Sequence, residues 1–333
     1  MIDFTHKQAA HCETGAISGL FRFHGLEVSE PMAFGLASGL TFAYLPMVKI
    51  NGLPLLAYRM PPRMILKMLG WRIKGLDIQF KTFKNEQQGS MFLNQKLSEG
   101  QLVGLQTSVY FLPYFPKEMR FHFNAHNLLV YGQFEQDNMT HYHISDPIFD
   151  KVVTVDQASL NKARFAKGAL APNGRLYYFS KVPTEIDFEK LIPKALHFTA
   201  KVNGKGNPAF IAGVAGMRLV AKRIEKLSNE TKRYQQLFLG HIVRMQEEIG
   251  TGGAGFRFMY AAFLQESAEK LNRPELKEWA TELIEIGDEW REFALRCARI
   301  NKNRGDHSLQ ETADYLRKLA AQEQAFYQKM RQF

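Results

Sequence analysis

Apolar residues near the start of the chain recur at helical spacing. Ala16, Ile17, Leu20, Phe21 and Phe23 mark one face of a helix over 12–24, and Gly25 supplies its stop. Ser29-Glu30-Pro31 then reads as a second helix start, a serine cap followed by proline in the first turn. A glycine-containing stretch, Phe34-Gly35-Leu36-Ala37-Ser38-Gly39, leads into Phe42-Ala43-Tyr44-Leu45. The period next changes to two: Trp71-Arg72-Ile73-Lys74 and residues 78–83 alternate as strands do. Residues 86–98 return to helical spacing and end at Gly100. Strands follow at 102–111, 126–133 and 141–145, the last closed by Asp146-Pro147, where proline stops regular pairing. Residues 152–155 add one more.

Past residue 156 the pattern is helical, apart from a strand at 176–182. Segments at 187–198, 208–228, 231–249, 255–272, 275–300 and 308–331 carry apolar residues three and four apart. Breaks such as Gly250 to Gly253 and Pro274 separate several of them. The pattern predicts an α+β chain with a mixed or antiparallel sheet. It is divided into an N-terminal domain over 1–155 and a mainly helical domain over 156–333. No internal repeat is evident.

Composition narrows the classes. With 45% hydrophobic and 23% charged residues in 333, the chain has the balance of a soluble globular protein. No apolar run approaches the ~20 residues that span a bilayer, and Met1-Ile2-Asp3-Phe4-Thr5-His6-Lys7 lacks the pattern of a secretory signal, so a cytoplasmic location is expected. The two cysteines, Cys12 and Cys297, read as free thiols, and neither lies in a CxxC pair. The net charge of +10 is dispersed, without the basic blocks of a nucleic-acid arm. It suits an acidic partner, and equally a basic protein with no such partner.

Candidate chemistry begins at His11-Cys12-Glu13-Thr14. A cysteine opening an apolar-faced helix meets the unpaired N–H groups and dipole that favour a thiolate; the other reading is a small buried hydrophobe. A thiolate nucleophile needs a base and a group to orient it. His126 begins a β-prone run, and Asp146 ends the next strand. An antiparallel pair joined at Glu135-Gln136-Asp137-Asn138 would put both at one sheet end, where the acid can fix the imidazole tautomer. An ordinary hairpin with polar ends accounts for the same pattern. His122 and His143 lack either the strand start or the facing acid. His141 and His143 have no third ligand at metal-binding spacing. No Gly-Lys-Ser/Thr follows Gly35 and Gly39, which excludes a Walker-type loop and leaves packing turns. Thr251-Gly252-Gly253-Ala254-Gly255 is an interhelical connection or, alternatively, an anion site. Arg218, Lys222, Arg223 and Lys226 form a basic helix face, and Cys297 lies in an apolar helical phase.

Several of these strings, taken in order, resemble the family of butirosin biosynthesis protein H. They are His11-Cys12-Glu13-Thr14, the run from Phe34 to Tyr44, Tyr110-Phe111-Leu112-Pro113-Tyr114, His126 before Leu-Leu-Val, Ser145-Asp146-Pro147 and Gly252 to Tyr260. The resemblance touches nearly the whole chain. It implies a papain-like N-terminal domain with Cys12 as nucleophile, His126 as general base and Asp146 as its orienter. It also implies transfer of an acyl group from an acyl carrier protein thioester to an amine or hydroxyl. The protein would then hold no cofactor of its own, the phosphopantetheine arriving on the carrier. A thioesterase, amidase or peptidase would use the same triad, and a noncatalytic scaffold would keep the fold to bind a carrier. Papain-like enzymes place a glutamine upstream of the cysteine to support the oxyanion. Gln8 is the nearest candidate for oxyanion support, although it stands closer to Cys12 than that pattern has it and His6 holds the more usual place; the backbone N–H groups at Cys12 are the other source of that support.

Overall fold

The computed structural model describes residues 2–50, 52–204, 211–249, 251–304 and 307–333. The chain opens with α1 (Cys12–Phe23), α2 (Glu30–Leu36), β1 (Leu40–Ile50), β2 (Leu53–Arg59) and α3 (Met64–Arg72). Then come β3 (Asp77–Lys81), α4 (Glu86–Ser98), β4 (Val103–Thr107), β5 (His126–Gln136), β6 (Met139–Ser145) and β7 (Val153–Asp156). After α5 (Gln157–Arg164) and β8 (Leu176–Lys181), the remaining elements are helices. These are α6 (Phe188–Gly204), α7 (Gly213–Glu225), α8 (Lys232–Val243), α9 (Arg257–Leu271), α10 (Glu275–Asn301) and α11 (Leu309–Met330). The chain is α+β, as expected.

Two compact units result: Met1–Ala33 with Leu66–Ile186, and Phe34–Ile65 with Asp187–Phe333. The first is built on a six-stranded sheet ordered β3-β8-β4-β5-β6-β7, with every pairing antiparallel. Side chains alternate between its faces. Val103, Leu105, Leu128, Val130 and Ile144 form one core with Leu93 of α4 and Leu160 and Ala163 of α5. Leu129 points the other way, against α1, where Gly19 leaves room for its methyl group. Ile17, Leu20 and Phe21 of α1 are fully buried, each contributing about 1.5–3 kcal/mol. The β5–β6 hairpin turns through Asp137 and Asn138, both at positive φ, between the paired residues Gln136 and Met139. That is a tight two-residue turn in which the Asp and Asn side chains tolerate the left-handed backbone.

In the second unit the β1–β2 hairpin packs on α7 and α8. Gly35 is a contact position, since a Cβ there would enter the Phe263 ring. A buried Arg257–Glu323 pair, with Nε–Oε1 at 2.8 Å, is joined by Trp290 Nε1 donating to the same oxygen at 2.6 Å. Cys297 is fully buried, and burial pushes its thiol far up, so the core assignment holds. In the Gly-rich run the Glu247 carboxylate accepts the Ala254 N–H at 3.2 Å. The Gly253 N–H donates to Thr251 Oγ1 at 3.0 Å, so both of these N–H groups are met from within the chain.

Several details differ from expectation. Trp71-Arg72-Ile73-Lys74 is no strand: Trp71 and Arg72 end α3, and Trp71 is 72% exposed. Four alternating residues cannot be told from the end of a helix whose apolar phase, Ile65, Leu66 and Leu69, begins earlier. The strand expected at 102–111 stops at Thr107 and passes into a short 3₁₀ turn at Val109–Phe111. Residues 208–210 of the expected 208–228 helix, and Gly250, lie outside the described residues. Each compact unit is assembled from two separate stretches of the chain. β8 lies inside the first unit's sheet, between β3 and β4, while residues 34–65 pack with the helices of the second.

Candidate active site

Cys12 is the first residue of α1 and only 7% exposed. His11 caps the helix in an extended conformation, its ring accepting from the Thr14 N–H. The first N–H groups of a helix have no partner within it, so Cys12 sits where partial positive charge gathers. Gly15 makes this placement possible: a Cβ there would come within 2.6 Å of both Ala9 Cβ and Pro147 Cβ. Only a glycine lets the start of α1 lie against Pro147, the neighbour of Asp146.

His126 opens β5 opposite Thr107 of β4. Leu129 pairs with Ser145, so the register carried one step further sets Asp146 beside Leu128, the same-face neighbour of His126. The His126 ring donates from Nε2 to Asp146 Oδ2 at 2.7 Å, and both side chains are buried. The Cys12 side chain lies near enough to the ring to help hold its proton. With Nε2 committed to the acid, Nδ1 is the nitrogen left to the sulfur. Phe115 stands edge-on to the imidazole, ring centroids 5.4 Å apart. The structure thus brings Cys12 beside a hydrogen-bonded His126–Asp146 pair.

Burial alone would strip the proton from His126. The Asp146 carboxylate and the Cys12 side chain reverse that and push the imidazole up to about 10, so it is cationic at neutral pH. Asp146 is well held: Oδ2 also accepts from Tyr114 O–H at 2.8 Å, and Oδ1 accepts from the Ile148 N–H at 3.3 Å. Burial, and next the charge of Asp146, keep the Tyr114 phenol well above its ordinary value, so it stays a donor. Tyr177, raised by burial and then by Glu13 and Cys12, donates to Asn127 Oδ1 at 3.0 Å.

Gln8 is exposed, and its amide donates to Ile148 O at 3.3 Å. His6 bonds Ser145 Oγ at 2.7 Å and Phe149 O at 3.0 Å, and the Ala9 N–H donates to Pro147 O. The segment before Cys12 is thereby stitched to the loop that carries Asp146. His122 stacks on Tyr110, and His143 lies over Tyr131 and Phe134, so neither competitor joins the site. Tyr114 lies in a string that carries the family resemblance, but nothing in the sequence marks it as a partner of Asp146. Nor does the sequence mark Glu30, whose carboxylate accepts from the backbone of Ala10 and His11. Among the described residues, no group of three or more His, Cys, Asp or Glu side chains is arranged to hold a metal, and no helix is long and apolar enough to cross a membrane.

A helix-borne cysteine beside a hydrogen-bonded pair of histidine and aspartate defines the class of site. Two family models match the chain. Butirosin biosynthesis protein H, N-terminal, covers residues 11–147, and a domain of unknown function (DUF4872) covers residues 158–330. The chain belongs to the family of proteins like butirosin biosynthesis protein H. That membership suggests a biosynthetic enzyme of an acyl-transferring kind. No curated protein matches the chain.

Proposed function

We propose that the protein is a cysteine-dependent acyltransferase with a papain-like site, which moves an acyl group from a carrier-protein thioester to an amine or hydroxyl. The observation that carries this reading is the buried Cys12–His126–Asp146 series at the start of α1. The Cys12 thiolate attacks the thioester carbon, and the carbonyl π electrons move onto oxygen. The C–S bond to the phosphopantetheine then breaks, and the leaving thiolate takes the His126 proton. Neutral His126 next removes the proton of the incoming amine or hydroxyl as it attacks the acyl-enzyme. Release of the product returns the Cys12 thiolate and the imidazolium. Asp146 holds the ring through Nε2 and stabilises its charge in both halves. The oxyanion falls to the Cys12 backbone N–H, the Gln8 amide being engaged with Ile148 O. The phosphopantetheine belongs to the carrier, and a net charge of +10 suits an acidic carrier surface.

Mixing the protein with an acyl-loaded carrier protein and following intact mass tests the scheme. An acyl adduct absent in Cys12→Ala is expected, with turnover that rises when an amine or hydroxyl acceptor is added. Turnover indifferent to any acceptor would make the protein a thioesterase. No adduct from any loaded carrier would overturn the covalent mechanism.

A further inference from the structure

Cys12 occupies the least secure position of its helix. As the first residue of α1 its N–H takes no part in the i to i−4 ladder, and the first turn is where a helix frays. Contacts from outside the helix must therefore fix the sulfur against His126. Glu30, the first residue of α2, supplies them. Oε2 accepts from the Ala10 N–H at 2.9 Å, and Oε1 accepts from the His11 N–H at 2.6 Å. Thr14 Oγ1, inside the first turn, donates to Oε1 at 3.0 Å. The His11 ring stands beside this clamp, its Nδ1 accepting the Thr14 N–H. One carboxylate thus binds the two peptides before Cys12 and the residue two after it.

Resting on the acyltransfer reading above, we propose that Glu30 is a positioning residue for the nucleophile: it holds the first turn of α1 so that the Cys12 sulfur meets His126. Glu30 touches neither the sulfur nor the imidazole through any of these bonds; it acts through the backbone of residues 10 and 11 and through Thr14. The charged or titratable groups facing the first turn are His11, Glu13, Glu30, His126 and Tyr177, with Asp146 behind His126.

Electrostatics and positioning give opposite forecasts, which makes the inference decidable. A carboxylate near the sulfur disfavours a thiolate, so as a mere neighbouring charge its removal would raise Cys12 reactivity at low pH. As a positioning residue its removal separates sulfur from imidazolium and lowers that reactivity. In Glu30→Gln one acceptor oxygen becomes an NH₂ that faces a backbone N–H, so the clamp opens while the size is kept. The test follows iodoacetamide alkylation of Cys12 from pH 5 to 9 by intact mass, with melting temperatures recorded beside it. Glu30→Gln is expected to slow alkylation at pH 6 by at least about tenfold, moving the profile toward that of an ordinary thiol. Thr14→Val is expected to show part of the loss and Thr14→Ser to restore the wild-type profile, which keeps the test decisive if Glu30→Gln does not fold. A faster or unchanged rate at pH 6 in Glu30→Gln, or Thr14→Val matching wild type, overturns the assignment while leaving the site reading intact. An ordinary thiol profile in the wild-type protein overturns both.

Discussion

Asp146→Asn keeps the shape and a hydrogen-bonding oxygen beside His126 but removes the charge. In the folded protein the imidazole is carried from its ordinary 6.5 to about 10, against a burial effect that works the other way. At about 1.4 kcal/mol per pH unit that displacement is worth roughly 5 kcal/mol. Asp146 heads the causes that raise it, and losing the charge of one partner of a buried pair is an effect on the order of 3 kcal/mol. Removing it weakens the ring's hold on its proton by that amount, a factor of about 100. Alkylation of Cys12 by iodoacetamide at pH 6 to 7 is the assay, with Cys12→Ala to discount Cys297. The variant should react more slowly than wild type, by up to about 100-fold. The same pair sets a pH dependence of stability. Folded His126 keeps its proton up to about 10, whereas the unfolded chain releases it near 6.5. The stabilisation is therefore complete below about 6.5 and is lost as pH rises through about 10. Melting temperature should fall along that window in wild type and much less in Asp146→Asn. Superimposable alkylation profiles, or an unchanged slope of melting temperature with pH, would refute the reasoning.

Three further outcomes are expected. Tyr114→Phe removes one of the donors on Asp146 Oδ2; it should cost about 1–2 kcal/mol by denaturant titration and let His126 hold its proton to higher pH, visible in an NMR titration of the ring. Gly15→Ala drives a methyl group into Ala9 and Pro147, which should cost about 1–3 kcal/mol and slow Cys12 alkylation by displacing the Asp146 loop. Glu323→Gln leaves the buried Arg257 without its carboxylate, and thermal melting should register a loss of about 3–5 kcal/mol.

Much of the fold is visible in the chain because local signals agree there with tertiary ones. Residues 86–98 carry an Asn85 cap that accepts from the Gln88 N–H, and the expected helix has the observed ends. The hairpin that brings His126 to Asp146 could be read from two β-prone runs and a polar turn, although the bulge between Val130 and Gly132 could not. What stayed hidden depends on distant partners. Leu40 to Arg59 forms a hairpin with a bulged register between Leu45 and Lys49, and no regular alternation marks it. β8 was recognised as a strand but not as the neighbour of β3 and β4, because nothing within 176–181 names its partners. Tyr114 and Glu30 reach the site through side chains from a loop and a helix start, positions that periodicity does not address.

The place of β8 also governs how the molecule can be made. Strands β4 to β7 lie close together in the chain and can pair soon after leaving the ribosome, carrying His126 and Asp146 with them. β3 emerges before all of these, yet its sheet neighbour is β8, and the gap between β3 and β4 stays open until Lys181 has been synthesised. Through that interval the growing chain exposes two unpaired strand edges, the condition under which nascent β-proteins pair wrongly or with one another. Closing a sheet with a strand from so far along the sequence is slow. The residues proposed for chemistry are thus translated early, and the support beneath them is finished late.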